Sequence, residues 1–196
     1  MSKIVKLKIP LKEEEIEKLN AGDLVELTGT IFLARDRVHK LLTEKIDEKF
    51  QEKLKNGAIY HCGPIAKKEK GKWKILSAGP TTSTRMEEFE EKIMEKYGVK
   101  AVIGKGGMKE KTLKALQKFG AVYLLAVGGT AALLAEKIVK VKNVYFLEEF
   151  GVPEALWEFE VKDFPLIVSM DSKGNSLHKE VLIESEQKLK EITEKK

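Results

Sequence analysis

Hydrophobic and polar positions along the chain change rhythm at about residue 84. From there Phe89, Ile93, Met94 and Tyr97 recur at helical spacing, while Glu87, Glu88, Glu90, Glu91 and Lys92 fill the other side. A helix is therefore predicted from Thr84, with Thr84 and Glu87 spaced as a capping box and Gly79-Pro80 breaking whatever strand precedes. Strand and helix then alternate. A strand over Lys100 to Ile103 leads through Gly104-Lys105-Gly106-Gly107 into a helix carrying Leu113, Leu116 and Phe119, with Gly120 placed to cap it. Ala121 to Val127 is nearly all apolar, as a central parallel strand is, and Gly128-Gly129-Thr130 turns it into a helix over Ala131 to Val139. A further strand is expected at Val144 to Leu147.

Before residue 84 the pattern is more strand-like. An extended start, Ile4 to Ile9, precedes a Glu-rich turn of helix after Pro10. Leu24 to Leu33 is apolar and β-branched, broken by Gly29, and a helix should follow to about Lys55 with Val38, Leu41, Leu42 and Ile46 on its buried side. Asn56-Gly57 ends that helix. Ala58 to Ile65 reads as a short buried strand stopped by Gly63-Pro64, and Trp73 to Ser77 as another. At the far end, alternation from Leu156 to Lys162 gives a half-exposed strand, and Leu166 to Met170 a second one before the turn Asp171 to Asn175. A charged helix and frayed tail close the chain. The fold class expected is α/β, a compact three-layer domain with a mixed sheet whose parallel part centres on residues 99 to 147. Residues 1–196 form one domain in this reading, with 1–20 an N-terminal extension and 176–196 a C-terminal helix and tail.

Composition narrows the function classes. With 196 residues and 42% hydrophobic content, the chain can bury the core of a single domain. No apolar run is long enough to cross a bilayer, and Met1 to Lys6 has no apolar signal-peptide segment, so a soluble cytoplasmic chain is expected. One cysteine, Cys62, excludes an intrachain disulfide framework and a four-cysteine metal or iron–sulfur site made by this chain alone. Lys and Arg number 36 against 31 Asp and Glu, for a formal net charge of +5, but the two signs are interleaved, as in Lys109-Glu110-Lys111. That pattern is a solvated surface of thermophile type and argues against nucleic-acid binding, which needs clustered cations.

Three places carry candidate chemistry. Ser77 to Met86 is a hydroxyl-rich turn ending in Arg85 at an expected helix start, where Thr81, Thr82 and Ser83 with the arginine's two-pronged fork suit a carboxylate or phosphate. The same spacing also serves plain helix capping, and spacing alone leaves both readings open. Lys105 sits in a glycine loop at a strand's carboxyl end; the loop matches neither a P-loop nor a dinucleotide fingerprint, so it is either a ligand contact or a tight turn with an exposed lysine. Arg35 likewise follows a strand and begins a helix, where a cation opposes the macrodipole unless an anion or Asp36 compensates it. His39 reads as a satisfied half-buried histidine, His61 and Cys62 as strand filler, and Gly128-Gly129-Thr130 as either an anion nest or close packing. His178, Asp171 and Glu180 have no metal-ligand spacing, and no metal site is expected on this chain. Arg35, the Thr81/Thr82/Arg85 group and Lys105 share one chemistry, and together they point to a dicarboxylate.

These motifs resemble a known family. Gly29 to His39 with its Ala-Arg-Asp, Tyr60 to Pro64 with its Gly-Pro, the string Gly79-Pro80-Thr81-Thr82-Ser83-Thr84-Arg85-Met86, Ile103 to Met108 and Asp171 to Asn175 resemble the β subunit of class I fumarate hydratase and L-tartrate dehydratase over nearly the whole chain. His61-Cys62 departs from the more usual apolar or aromatic pair. The resemblance implies a swivelling β/β/α domain and a hydro-lyase that hydrates fumarate to L-malate, with L-tartrate or another substituted dicarboxylate as the alternative substrate. It also implies a [4Fe-4S] cluster supplied by a separate α subunit, in a heterodimer or a dimer of heterodimers. By the family's pattern Arg35, Arg85 and Lys105 grip substrate carboxylates, Thr82 adds a hydroxyl contact, and Thr81 moves the carbon-bound proton. A non-catalytic anion-binding domain is the reading from a different class.

Overall fold

A computed structural model describes residues 4–194. In chain order the elements are β1 (Ile4–Lys8), α1 (Glu13–Glu17), β2 (Leu24–Leu33), α2 (Asp36–Glu44), α3 (Glu48–Leu54), β3 (Ala58–Tyr60), β4 (Ile65–Glu69), β5 (Lys72–Ser77) and α4 (Glu90–Tyr97). They continue with β6 (Ala101–Gly104), α5 (Glu110–Phe119), β7 (Val122–Leu125), α6 (Ala131–Glu136), β8 (Ile138–Tyr145), α7 (Leu147–Phe150), β9 (Leu156–Met170) and α8 (Leu177–Glu194). The fold is mixed α/β around a mixed, partly parallel sheet.

Seven strands form the main sheet, and five of them close on themselves. β2, β3, β6 and β7 run parallel in that order, while β9 pairs antiparallel with both β7 and β2 and so joins the two ends. β1 extends the same edge of β2 that β3 occupies further along, and β8 shares an edge of β9 with β7. Strand alternation sorts the core into two clusters. Ile31, Leu33, Ile103 and Leu124 join one that also holds Trp157, Phe159 and Phe164, whereas Phe32, Ile59, Val102 and Tyr123 face the other, against Val38 and Leu42 of α2, Ile93 and Met94 of α4 and Leu116 of α5. Leu11, Ile16 and Leu19 also lie in the first cluster.

Several boundaries differ from expectation. The helix expected to reach Lys55 is two helices, because Lys45 is extended and Asp47 caps α3 by accepting from the Lys49 amide at 3.0 Å; Ile46, expected buried, is 51% exposed. The strand expected up to Ile65 ends at Tyr60, and Ile65 instead begins the β4–β5 hairpin. β8 starts at Ile138 inside the stretch read as helix, held by ladder pairs such as Val141 with Phe159. The two strands expected at 156–162 and 166–170 are one 15-residue strand, β9. Pro165 interrupts its sequence pattern, yet it falls where β8 has ended and β7 has not begun, so only the edge toward β2 carries a ladder there.

Candidate active site

The parallel strands β2, β3, β6 and β7 point their carboxyl ends the same way, and the residues singled out from sequence gather along that edge. Arg35 follows β2, His61 to Pro64 follow β3, and Lys105 follows β6. Beyond their paired bodies β3 and β6 part, and the hydroxyl-rich segment enters between them. Pro80 bridges to Cys62, the Thr81 amide donates to His61 O at 2.7 Å, Thr82 bridges to Lys105, and the Ser83 amide donates to Lys105 O at 3.1 Å. Backbone pairing on both sides therefore fixes Thr81, Thr82 and Lys105 relative to one another.

The helix expected from Thr84 does not form as read. Ser83–Met86 is a short 3-10 turn, Thr82 makes no side-chain cap, and the α-helix begins only at Glu90. Glu87 does not close a capping box with Thr84; its carboxylate reaches across to α5, accepting from the Lys109 amide at 2.8 Å and the Thr112 amide at 2.9 Å. Two amides of another helix's first turn thus explain why Glu87 is buried although the periodicity puts it on the polar side. The candidate anion site consequently stands on its cations and hydroxyls and not on a helix N-terminus.

Arg35 and Arg85 are each held by a carboxylate. Arg85 donates from Nε to Asp36 Oδ1 at 3.0 Å, and its Nη2 makes an ion-pair contact with Asp36 Oδ2 at 2.7 Å without an aligned hydrogen bond; together they orient the guanidinium. Arg35 Nη2 lies 3.2 Å from Glu154 Oε1, and its Nε is buried without a hydrogen-bond partner among the described residues. Arg35 also packs on Gly63, where an added Cβ would meet Arg35 Cδ at 2.9 Å and Pro153 O at 2.5 Å, so only glycine lets the arginine pass. Lys105 has no carboxylate at ion-pair distance among the described residues, and its stem runs past Gly128. Asp36 was legible as a neighbour of Arg35; Glu154 was not, because no local pattern links it to β2.

Behind this edge lies a buried polar cluster that sequence spacing does not reveal. His39, His61 and Glu90 are all fully buried; Glu90 Oε1 is 2.9 Å from His61 Nε2 and 3.5 Å from His39 Nε2, and the two rings meet edge to face at 5.1 Å. Burial alone would raise the Glu90 carboxyl, but the histidines hold it down at about 2. The reading of His39 as half-buried is corrected: it is fully buried, with Nδ1 2.9 Å from Arg35 O. Ser83 Oγ, 2.9 Å from His61 Nδ1 and 3.2 Å from Lys105 N, ties the cluster to the site, and Gly104 leaves it room, since a Cβ there would sit 1.8 Å from that oxygen. Cys62 is buried and its thiol is pushed up to about 12 by burial, which leaves it an inert filler. His178 contacts Ser169 Oγ at 2.7 Å, and the buried Asp171 organises its turn, so neither joins the site.

Among the described residues no helix is long and apolar enough to cross a membrane. Comparison with known proteins gives consistent results. A putative fumarate hydratase class I of Geobacillus stearothermophilus is 46% identical over 98% of this chain, which spans only 37% of that relative's length. A putative L(+)-tartrate dehydratase subunit beta of Methanocaldococcus jannaschii is 48% identical over 93% of this chain and 95% of its own, and the L(+)-tartrate dehydratase subunit beta of Escherichia coli K12 is 43% identical over 87% of this chain and 85% of its own. The Fumarase C-terminus model matches residues 1–181, and on that match and those identities the chain belongs to the Fumarase C-terminus family, whose relatives here are named as hydro-lyases and their subunits.

Proposed function

We propose that this chain is the β subunit of a fumarase-type hydro-lyase interconverting fumarate and water with L-malate. The observation that carries this reading is the convergence of Arg35, Arg85, Lys105, Thr81 and Thr82 on one strand-end edge, pinned by the Thr82–Lys105 and Thr81–His61 backbone contacts. Three cations from three different segments suit a substrate with a carboxylate at each end. Removing the proton from the carbon beside a carboxylate builds up a second negative charge, and preorganised guanidinium and ammonium groups stabilise it without reorganising. In this reading Arg35, Arg85 and Lys105 grip the carboxylates, Thr82 adds a hydroxyl contact, and Thr81 carries the proton between carbon and an acid of the partner; the cations beside Thr81 favour the charged form its hydroxyl must pass through.

A lone buried cysteine with a thiol at about 12 gives this chain no ligand set for the [4Fe-4S] cluster of such enzymes. We therefore place the cluster on a separate α subunit, in a heterodimer or a dimer of heterodimers located in the cytoplasm. The closed strand ring, with α2, α4 and α5 packed on one core cluster, is compatible with a three-layer swivelling β/β/α domain. The two-subunit arrangement is supported by the relatives named as beta subunits, which this chain matches nearly end to end. The same fact favours L-tartrate as the second substrate reading.

Anaerobic co-expression with the α subunit and assay on fumarate, L-malate and L-tartrate tests the proposal. Arg85→Ala is expected to lose about 2–4 kcal/mol of transition-state stabilisation, the size of one preorganised electrostatic contact. Full activity in that variant, or turnover by this chain alone, would overturn it.

A further inference from the structure

The proton positions around His39, His61 and Glu90 can be worked out from their neighbours. His39 Nδ1 lies 2.9 Å from Arg35 O, and a carbonyl only accepts, so the ring's proton is on Nδ1 and its neutral form presents a bare lone pair at Nε2. Ser83 Oγ has three neighbours: Lys105 N at 3.2 Å, His61 Nδ1 at 2.9 Å and the Tyr123 hydroxyl at 2.9 Å; Tyr123 also lies 3.0 Å from Gly106 O. The phenol's one proton serves either Ser83 Oγ or Gly106 O, and Lys105 brings its own. In the arrangement where Tyr123 donates to Gly106 O and accepts from Ser83, His61 carries its proton on Nδ1 and a bare lone pair at Nε2.

In that arrangement two imidazole lone pairs face one buried carboxylate. His39 Nε2, His61 Nε2 and both oxygens of Glu90 are buried without an aligned hydrogen bond among the described residues. Such a group of acceptors is strongly unfavourable in a dry interior unless a cation lies among them. Protonating one ring pairs it with the carboxylate but leaves the other Nε2 without an aligned partner, and protonating both would set two imidazolium ions side by side with centroids 5.1 Å apart. One divalent ion answers all three groups at once. The ligand atoms lie within 4.8 Å of one another, and the separations of 2.9 and 3.5 Å match the roughly 3–3.4 Å expected between donors about 2.0–2.1 Å from a common zinc.

We propose that His39, His61 and Glu90 form a buried site for one divalent transition-metal ion of the zinc type. Two neutral imidazoles and a carboxylate are a borderline donor set of the kind zinc and ferrous iron take. Arg35 O and Ser83 Oγ hold the far nitrogens, as the outer partners of metal-ligating histidines do. Full burial means that the ion enters as the chain folds. It joins α2, the end of β3 and α4, and so braces the segments that carry Arg35, Thr81 and Lys105 from behind the substrate edge. This ion is separate from any iron–sulfur cluster.

The test uses the full chain without an affinity tag, produced with added Zn²⁺ and, separately, Co²⁺, then dialysed exhaustively. About one equivalent of metal per chain is expected, with visible absorption from the cobalt form, and the wild type refolded with Zn²⁺ should melt several degrees above the same protein refolded in chelator. Glu90→Gln and His61→Phe should each retain about a tenth or less of the metal. Below about a tenth of an equivalent in both wild-type preparations, with no melting shift on refolding with Zn²⁺, the proposal is wrong. It is also wrong if either variant keeps the full equivalent, and if the variants do not fold, the wild-type metal content and melting shift decide. None of these readouts depends on hydratase activity.

Discussion

Asp36 holds Arg85 through one hydrogen bond from Nε at 3.0 Å and an ion-pair contact with Nη2 at 2.7 Å, across a loop that the sequence leaves unconnected. Both side chains are partly exposed, so the pair adds little to stability, and its effect is to aim the arginine at the strand-end edge. Asp36→Ala should therefore leave the melting temperature nearly unchanged while lowering kcat/KM by about tenfold or more through misplaced charge. A variant that melts much earlier, with kinetics unchanged per folded molecule, would show the pair to be structural.

Gly63→Ala tests the close passage of Arg35. The new Cβ would lie 2.5 Å from Pro153 O and 2.9 Å from Arg35 Cδ, so both the backbone and the arginine must move. A loss of about 1–3 kcal/mol in stability is expected from overpacking, together with a rise in KM as Arg35 leaves its place. Chemical denaturation alongside steady-state kinetics separates the two effects.

Glu87→Ala should destabilise without touching substrate. It removes the acceptor for the amides of Lys109 and Thr112 at the start of α5, a loss of about 1–2 kcal/mol, or a few degrees in melting temperature for a domain of this size. Activity per folded molecule should be preserved, and a selective kinetic defect would contradict this placement.

Asp171 gives a dependence on acid. Burial pushes its carboxyl up, but Asn175 and the amides of Asn175, Ala21 and Lys173 outweigh that and hold it below the usual carboxylate range. Its contribution is therefore present above the unfolded value near pH 4 and is lost as pH falls through the lower folded value. Asp171→Asn should cost about 2 kcal/mol at neutral pH and flatten the fall in stability below about pH 4; an unchanged acid limb would refute the assignment.

Much of this was legible in the order of residues. β2 was read with its observed ends, Leu24 and Leu33, because β-branched runs bounded by turns are a strong local signal. Arg35, Lys105 and the Thr81–Arg85 string were singled out because strand ends in parallel sheets are where ligands meet side chains, and they do lie along one such edge. What escaped is long-range. Nothing near Glu154 announces Arg35, nothing near Glu87 announces α5, and Glu90 reads as one more solvent-facing acid until His39 and His61 are folded against it. The break between α2 and α3 escaped for a related reason: Ile46 fits the apolar period, and only the Asp47 cap shows that the helix has restarted.

The strand ring also sets a schedule. Leu24 pairs with Ile167 and Leu33 with Trp157, so β2 finds one of its edges only in the last third of the chain. On a ribosome the segments bearing Arg35, Thr81 and Lys105 emerge first and must wait, with β2 unpaired on that side, until β9 is made. Glu154, the partner that steadies Arg35, arrives with the same segment. Contacts so distant in sequence form slowly, and a chain halted before residue 154 carries all three cations of the proposed site yet lacks the strand that would close the ring and the carboxylate that would hold Arg35 in place.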